Sequence, residues 1–168
     1  MAREPGMTMG LDIGSAFVKL VILDEYEKPV LEKSLPHQGD ILKTTRELTQ
    51  YHIVPNQTLS LAVIGRYAGP VARLMGIQVE NELTAILCAV SKKIGSIHQI
   101  INIGSSSLSL IQLDTTGRLV DYQTNTLCAA GTGSFLDEQA VRMGISASEA
   151  AKFPFIADPP SMATRCAV

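Results

Sequence analysis

Apolar residues cluster in two segments near the start of the chain, 7–14 and 17–24, and the small residues Gly14, Ser15 and Ala16 join them. That pattern predicts a β-hairpin. Residues 29–35 alternate polar and apolar side chains and predict a third strand. Residues 40–51 have helical spacing, with Asp40 placed to cap the first turn. A short apolar run predicts a strand at 59–64, then a helix at 69–74 and another short strand at 76–79. Residues 81–94 place Leu83, Ile86, Leu87 and Val90 on one face of a helix. Three more strands are expected at 97–103, 107–114 and 119–123, then helices at 133–143 and 146–152. The prolines after Phe153 predict a loop.

Three strands therefore open the chain, and three strands open again near Ile97. Displacing the sequence by ninety positions tests whether the second set copies the first. Ile13, Gly14 and Ser15 fall on Ile103, Gly104 and Ser105, and Leu20, Leu23, Asp24 and Val30 fall on Leu110, Leu113, Asp114 and Val120. Any two hairpins share some apolar positions, but here the glycine turn and the strand pattern match together. The copy has Asn102 where the first hairpin has Asp12, and Ser109 where it has Lys19. The predicted fold class is α/β, with one unit over residues 1–96 and a second over 97–168.

Charge and composition exclude some functions. The 168 residues carry a formal net charge of −2, so no basic footprint favours nucleic acid. No apolar run reaches the roughly 18–20 residues that a membrane span needs, and the first ten residues lack the apolar core of a secretory signal. The expectation is a soluble, cytoplasmic protein with neither a nucleic-acid nor a membrane partner. Cys88, Cys128 and Cys166 are an odd number and predict no disulfide framework. Cys88 falls within an apolar helix and is expected in the core. His37, His52 and His98 have no ligand spacing, and no role is expected for them.

A turn of small residues between two strands lets backbone N–H groups converge on an anion, since only small side chains let a phosphate approach that closely. Asp12, at the end of the first strand, could hold Mg²⁺ through water. Lys19 is a compact positive charge suited to phosphate oxygens. Taken singly, the pattern also fits an ordinary hairpin with a solvated lysine. Two such hairpins facing one another would make a phosphate clamp.

CAAGTGSFLDEQA at 128–140 is the most unusual stretch. Cys128 precedes a loop of small residues that opens a helix, and a helix N-terminus, with its free N–H groups, favours a thiolate or an anionic cluster. A buried cysteine before a glycine-rich helix start fits equally. Cys128 and Cys166 are too few for a four-thiolate site in one chain, but two chains about a two-fold axis would supply four. Zinc could use the same thiolates.

LDIGSAFVKLVILD, INIGSSSLSLIQLD, NTLCAAGTGSFLDEQA and TRCAV, in this order, resemble the ATP-dependent activators of 2-hydroxyacyl-CoA dehydratases, a family that includes ATPase subunits of benzoyl-CoA reductase. The resemblance implies a ribonuclease-H-like, actin-like ATPase fold of two subdomains with ATP between them. It implies a homodimer bridged by one [4Fe–4S] cluster, with Cys128 and Cys166 as each chain's ligands. ATP (with its product ADP) and Mg²⁺ would be further cofactors. Asp12, Gly14, Ser15 and Lys19 would form the first phosphate loop, with Gly104 and Ser105 in the second. The implied activity is delivery of a low-potential electron to an acyl-CoA dehydratase or related reductase.

The chain departs from the family pattern in two places. The second loop usually reads like D-I-G-G-Q-D-x-K, whereas here Asn102, Ser105, Ser106, Ser107 and Ser109 stand at its polar and charged positions. Weak or absent ATP hydrolysis is expected as a result. The first subdomain is expected to be complete and the second partial, as in a fragment or a reduced relative. Two other readings stand beside the activator. One is a non-hydrolysing iron–sulfur or interaction module. The other is a kinase-like member of the actin-like superfamily, which needs no thiolates at 128 and 166.

Overall fold

Seven strands and five helices form two units in the computed structural model, which describes residues 6–53, 59–125, 132–154 and 156–158. The units are Met1–Gly95 and Ser96–Val168.

In the first unit, β1 (Met7–Ile13) and β2 (Phe17–Leu23) form the expected antiparallel hairpin, and β3 (Pro29–Pro36) adds to β2. After α1 (Ile41–Thr49), β4 (Leu59–Ile64) returns to lie parallel to β1, giving the order β3-β2-β1-β4. The period-2 alternation of strands decides which side chains go inward. Met9, Leu11 and Ile13 of β1 and Val18, Leu20 and Ile22 of β2 are buried, together with Val63 of β4. Leu48 of α1 and Ala68 and Val71 of α2 (Ala68–Met75) complete this core. Each large side chain buried there contributes roughly 1.5–3 kcal/mol. The same alternation puts Asp12 and Lys19 on the opposite face.

Asp40 caps α1 as expected, accepting the Lys43 N–H at 3.1 Å. Buried Thr44, Thr45 and Thr49 return their hydroxyls to carbonyls one turn earlier, at 2.8–3.0 Å, so the helix can bury polar side chains. The strand expected at 76–79 reduces to a single bridge, Val63 to Val79, because Gly76, left-handed at φ 68°, ends α2 and leaves too few residues for a ladder.

Asn81 caps α3 (Glu82–Lys93) by accepting the Thr84 N–H at 2.9 Å. Leu83, Ile86, Leu87 and Val90 are half-buried, and no residue of α3 is fully buried. Cys88 is exposed, not in the core. At 100° per residue it points nearly opposite the apolar face, so the helix's overall apolarity misplaced it.

In the second unit, β5 (Gln99–Ile103), β6 (Leu108–Leu113) and β7 (Leu119–Thr124) form an antiparallel sheet in that order, followed by α4 (Gly133–Arg142) and α5 (Ala147–Ala150). The repeat at ninety residues extends to individual bonds. Asp12 pairs with Lys19 across the first hairpin, and Asn102 with Ser109 across the second. Gly14 N–H donates to the Phe17 carbonyl at 3.0 Å, and Gly104 N–H to the Ser107 carbonyl at 2.7 Å. A register shift falls at Ile22/Leu23 and again at Gln112/Leu113. Asp24 and Asp114 each accept two backbone N–H groups of the following turn. Among the described residues, no helix is long and apolar enough to cross a membrane.

Candidate functional site

The first hairpin brings four of the expected residues together. Asp12 and Lys19 face each other in register, and Lys19 Nζ donates to Asp12 Oδ2 at 2.9 Å. Gly14 and Ser15 form the turn just beyond them. The lysine is more than half exposed and the carboxylate about a third, so the pair lies within reach of a ligand. An ion pair this open adds at most about 1 kcal/mol to stability. It is a charge relationship that a polyanion can rearrange.

Two elements brace this turn from behind. Tyr67 N–H donates to the Ile13 carbonyl and His37 N–H to the Ala16 carbonyl, both at 3.0 Å. The buried His37 ring stands edge-on to the Tyr67 ring at 6.4 Å, and its Nδ1 accepts the Gly39 N–H at 3.1 Å. His37, for which no role was expected, thus supports the turn. Gly65, at φ 106°, lies against Asp12 itself. A glycine between an apolar strand and a helix was the available signal for this contact, and strand pattern alone passes over it.

The second turn has the same shape and no charge. Asn102 is half-buried and Ser109 buried. The start of α4 docks onto this turn. Gly133 N–H donates to the Gly104 carbonyl at 2.8 Å and Ser134 N–H to the Ser105 carbonyl at 3.1 Å, with the Ser134 hydroxyl on the same Ser105 carbonyl. These two helix N–H groups are therefore not free for a thiolate or cluster, contrary to the expectation for the helix start. They are spent holding α4 to the Gly104–Ser105 turn.

Among the described residues, no three His, Cys, Asp or Glu side chains gather around a possible metal position. A single carboxylate still suits Mg²⁺ when phosphates and waters complete its shell, and Asp12 has that chemistry and exposure. Cys128 and Cys166 lie outside the described residues.

A small-residue hairpin is repeated in the second unit with the same register, and the solved dehydratase activators that superpose on the chain give it their ribonuclease-H-like, actin-like ATPase fold. No protein-family model matches it. The chain is 30% identical over 148 residues to the 2-hydroxyisocaproyl-CoA dehydratase activator of Clostridioides difficile, covering 84% of this chain and 54% of that protein. The structure of an activator of the 2-hydroxyisocaproyl-CoA dehydratase from Clostridium difficile with bound ADPNP superposes with a TM-score of 0.69 at 28% identity, over 92% of this chain and 60% of the other. Component A of the Acidaminococcus fermentans (R)-2-hydroxyglutaryl-CoA dehydratase gives 0.73 at 24% identity, over 93% and 62%, a likeness of fold. The chain is a homologue of the 2-hydroxyacyl-CoA dehydratase activators, and it spans about half the length of the curated relatives it matches.

Proposed function

We propose that this chain is the ATP-binding, cluster-bearing part of an activator that serves a 2-hydroxyacyl-CoA dehydratase or a related reductase. The observation that carries the reading is the Asp12–Lys19 pair, set in register beside a small-residue turn on the solvent side of the sheet. With nucleotide bound, Lys19 would turn from Asp12 to the phosphate oxygens, which offer it more charge. Asp12 would then be free to hold the waters of Mg²⁺. Gly14 and Ser15 let the phosphate approach the backbone, and Gly104 and Ser105 form the second phosphate turn.

Cys128 and Cys166, with their copies in a second chain, would hold one [4Fe–4S] cluster across a homodimer. When bound, that cluster supplies one-electron chemistry at low potential. The resemblance of CAAGTGSFLDEQA and TRCAV to the activator family supports this reading, because Cys128 and Cys166 match its cluster positions.

Asn102 and Ser109 favour a second reading, nucleotide binding without rapid turnover. The second turn lacks both a carboxylate to place Mg²⁺ or water and a cation to meet developing charge. Equilibrium binding of Mg·ATP and steady-state hydrolysis on the same sample test both readings. The chain should bind Mg·ATP and turn it over slowly. Asp12→Ala and Lys19→Ala should each weaken binding by about ten-fold or more, the scale of a lost charged hydrogen bond. Binding that is absent, or indifferent to both substitutions, would contradict the phosphate site. Rapid hydrolysis abolished by Asp12→Ala would contradict the slow-turnover reading.

A further inference from the structure

We infer that Gly65, in the β4–α2 turn, is a positioning residue for Asp12, and that the Gly65–Tyr67 turn lines the phosphate site beside Asp12. This rests on the phosphate-site reading above. The parallel pairing of β1 with β4 sets Asp12 beside Ile64, so the turn after β4 meets the end of β1. Gly65 then enters at φ 106°, a backbone region that side chains rarely adopt. A β-carbon there would lie 2.5 Å from the Ile13 carbonyl oxygen and 2.7 Å from Asp12 Oδ1. Both distances are shorter than real contacts allow, so any other residue must push the carboxylate or the turn away. Two residues on, Tyr67 N–H holds the same Ile13 carbonyl at 3.0 Å.

The two oxygens of Asp12 thus have different surroundings. Oδ2 takes the Lys19 ammonium, and Oδ1 is confined by the Gly65 backbone. Confinement of one oxygen fixes the direction in which the other is presented. Hydrogen-bonded outer partners that orient a ligating carboxylate are worth about 10- to 100-fold in affinity, and a clash that displaces the carboxylate should act on that scale. Gly69, the second residue of α2, makes no such contact, since a β-carbon there meets nothing within 4 Å.

The test compares Gly65→Ala with Gly69→Ala, reading the Asp12 carboxyl carbon by NMR and the affinity for Mg²⁺ with a non-hydrolysable ATP analogue. Gly65→Ala should move the Asp12 signal and weaken binding by about 10- to 100-fold, while Gly69→Ala changes neither. Gly65→Ala should also cost less in an Asp12→Ala background than in the wild type, because the part of its effect that runs through that carboxylate is then gone. An unmoved Asp12 signal, or equal losses with and without Asp12, overturns the role of Gly65 whatever the chain binds. A wild-type chain that ignores the Mg²⁺–analogue complex overturns the phosphate-site reading, and Gly65's part in it, whatever the signal does. Should Gly65→Ala fail to fold, the wild type carries the test. The analogue should shift the Gly65 and Arg66 amide signals and leave that of Gly76, at the far end of α2, in place. Unshifted Gly65 and Arg66 amides would overturn the proposal.

Discussion

Position 109 explains what the second hairpin lost. Lys19, its counterpart, keeps more than half of its side chain in water and holds Asp12, whereas Ser109 is only 5% exposed. A lysine at 109 would carry its ammonium out of solvent with Asn102, a neutral amide, across the strand pair. The exchange of residues should therefore be asymmetric. Ser109→Lys should lower unfolding free energy by about 1–3 kcal/mol, the range found when unpartnered polar groups are buried. Lys19→Ser should change it by less than about 1 kcal/mol, since it breaks only an exposed pair. Urea denaturation of both variants measures this. Equal effects would show that burial is not what separates the two hairpins.

The turns that close the second hairpin of each sheet share one device, an aspartate that gathers the N–H groups of the residues after it. In the β6–β7 turn, the Thr116 hydroxyl, then the Arg118 N–H, hold Asp114 below its ordinary value of 3.8. A carboxylate with a depressed value stabilises the fold fully above that ordinary value and loses the contribution as pH falls through the folded-state value. Amide exchange at Thr116 and Arg118, corrected for intrinsic rates, should therefore accelerate below about pH 4, and Asp114→Asn should remove most of that pH dependence. Unchanged protection in acid would count against the device. The hairpins and their repeat were legible in the order of residues because a copy at a constant offset repeats turn glycines, aspartates and strand period together. The bracing of the first turn was not. Residues 65 and 67 meet residues 12 and 13 only through the parallel β1–β4 pairing, and a strand's period does not name its neighbour. The bonding of two N–H groups at the start of α4 was hidden for a similar reason, since the Gly104 and Ser105 carbonyls that take them lie nearly thirty residues earlier.

The two units differ in how fully the shared hairpin is covered. Leu11 and Ile13 are buried at 1% and 0% exposure, while their counterparts Ile101 and Ile103 are 65% and 49% exposed. The actin-like fold and the kinship with dehydratase activators do not depend on that difference, because they rest on the register of the hairpins and on similarity along most of the chain. What separates the proposed activator from a kinase-like relative is the pair of cysteines at 128 and 166. A two-fold dimer sharing one cluster loses two thiolates with each substitution. The most direct measurement is anaerobic reconstitution followed by iron and sulfide quantitation and sedimentation of the same sample. The account predicts one [4Fe–4S] cluster per dimer, abolished along with much of the dimer by Cys128→Ser or Cys166→Ser and untouched by Cys88→Ser. A stoichiometric cluster on a monomer, or one that survives Cys128→Ser, would contradict it.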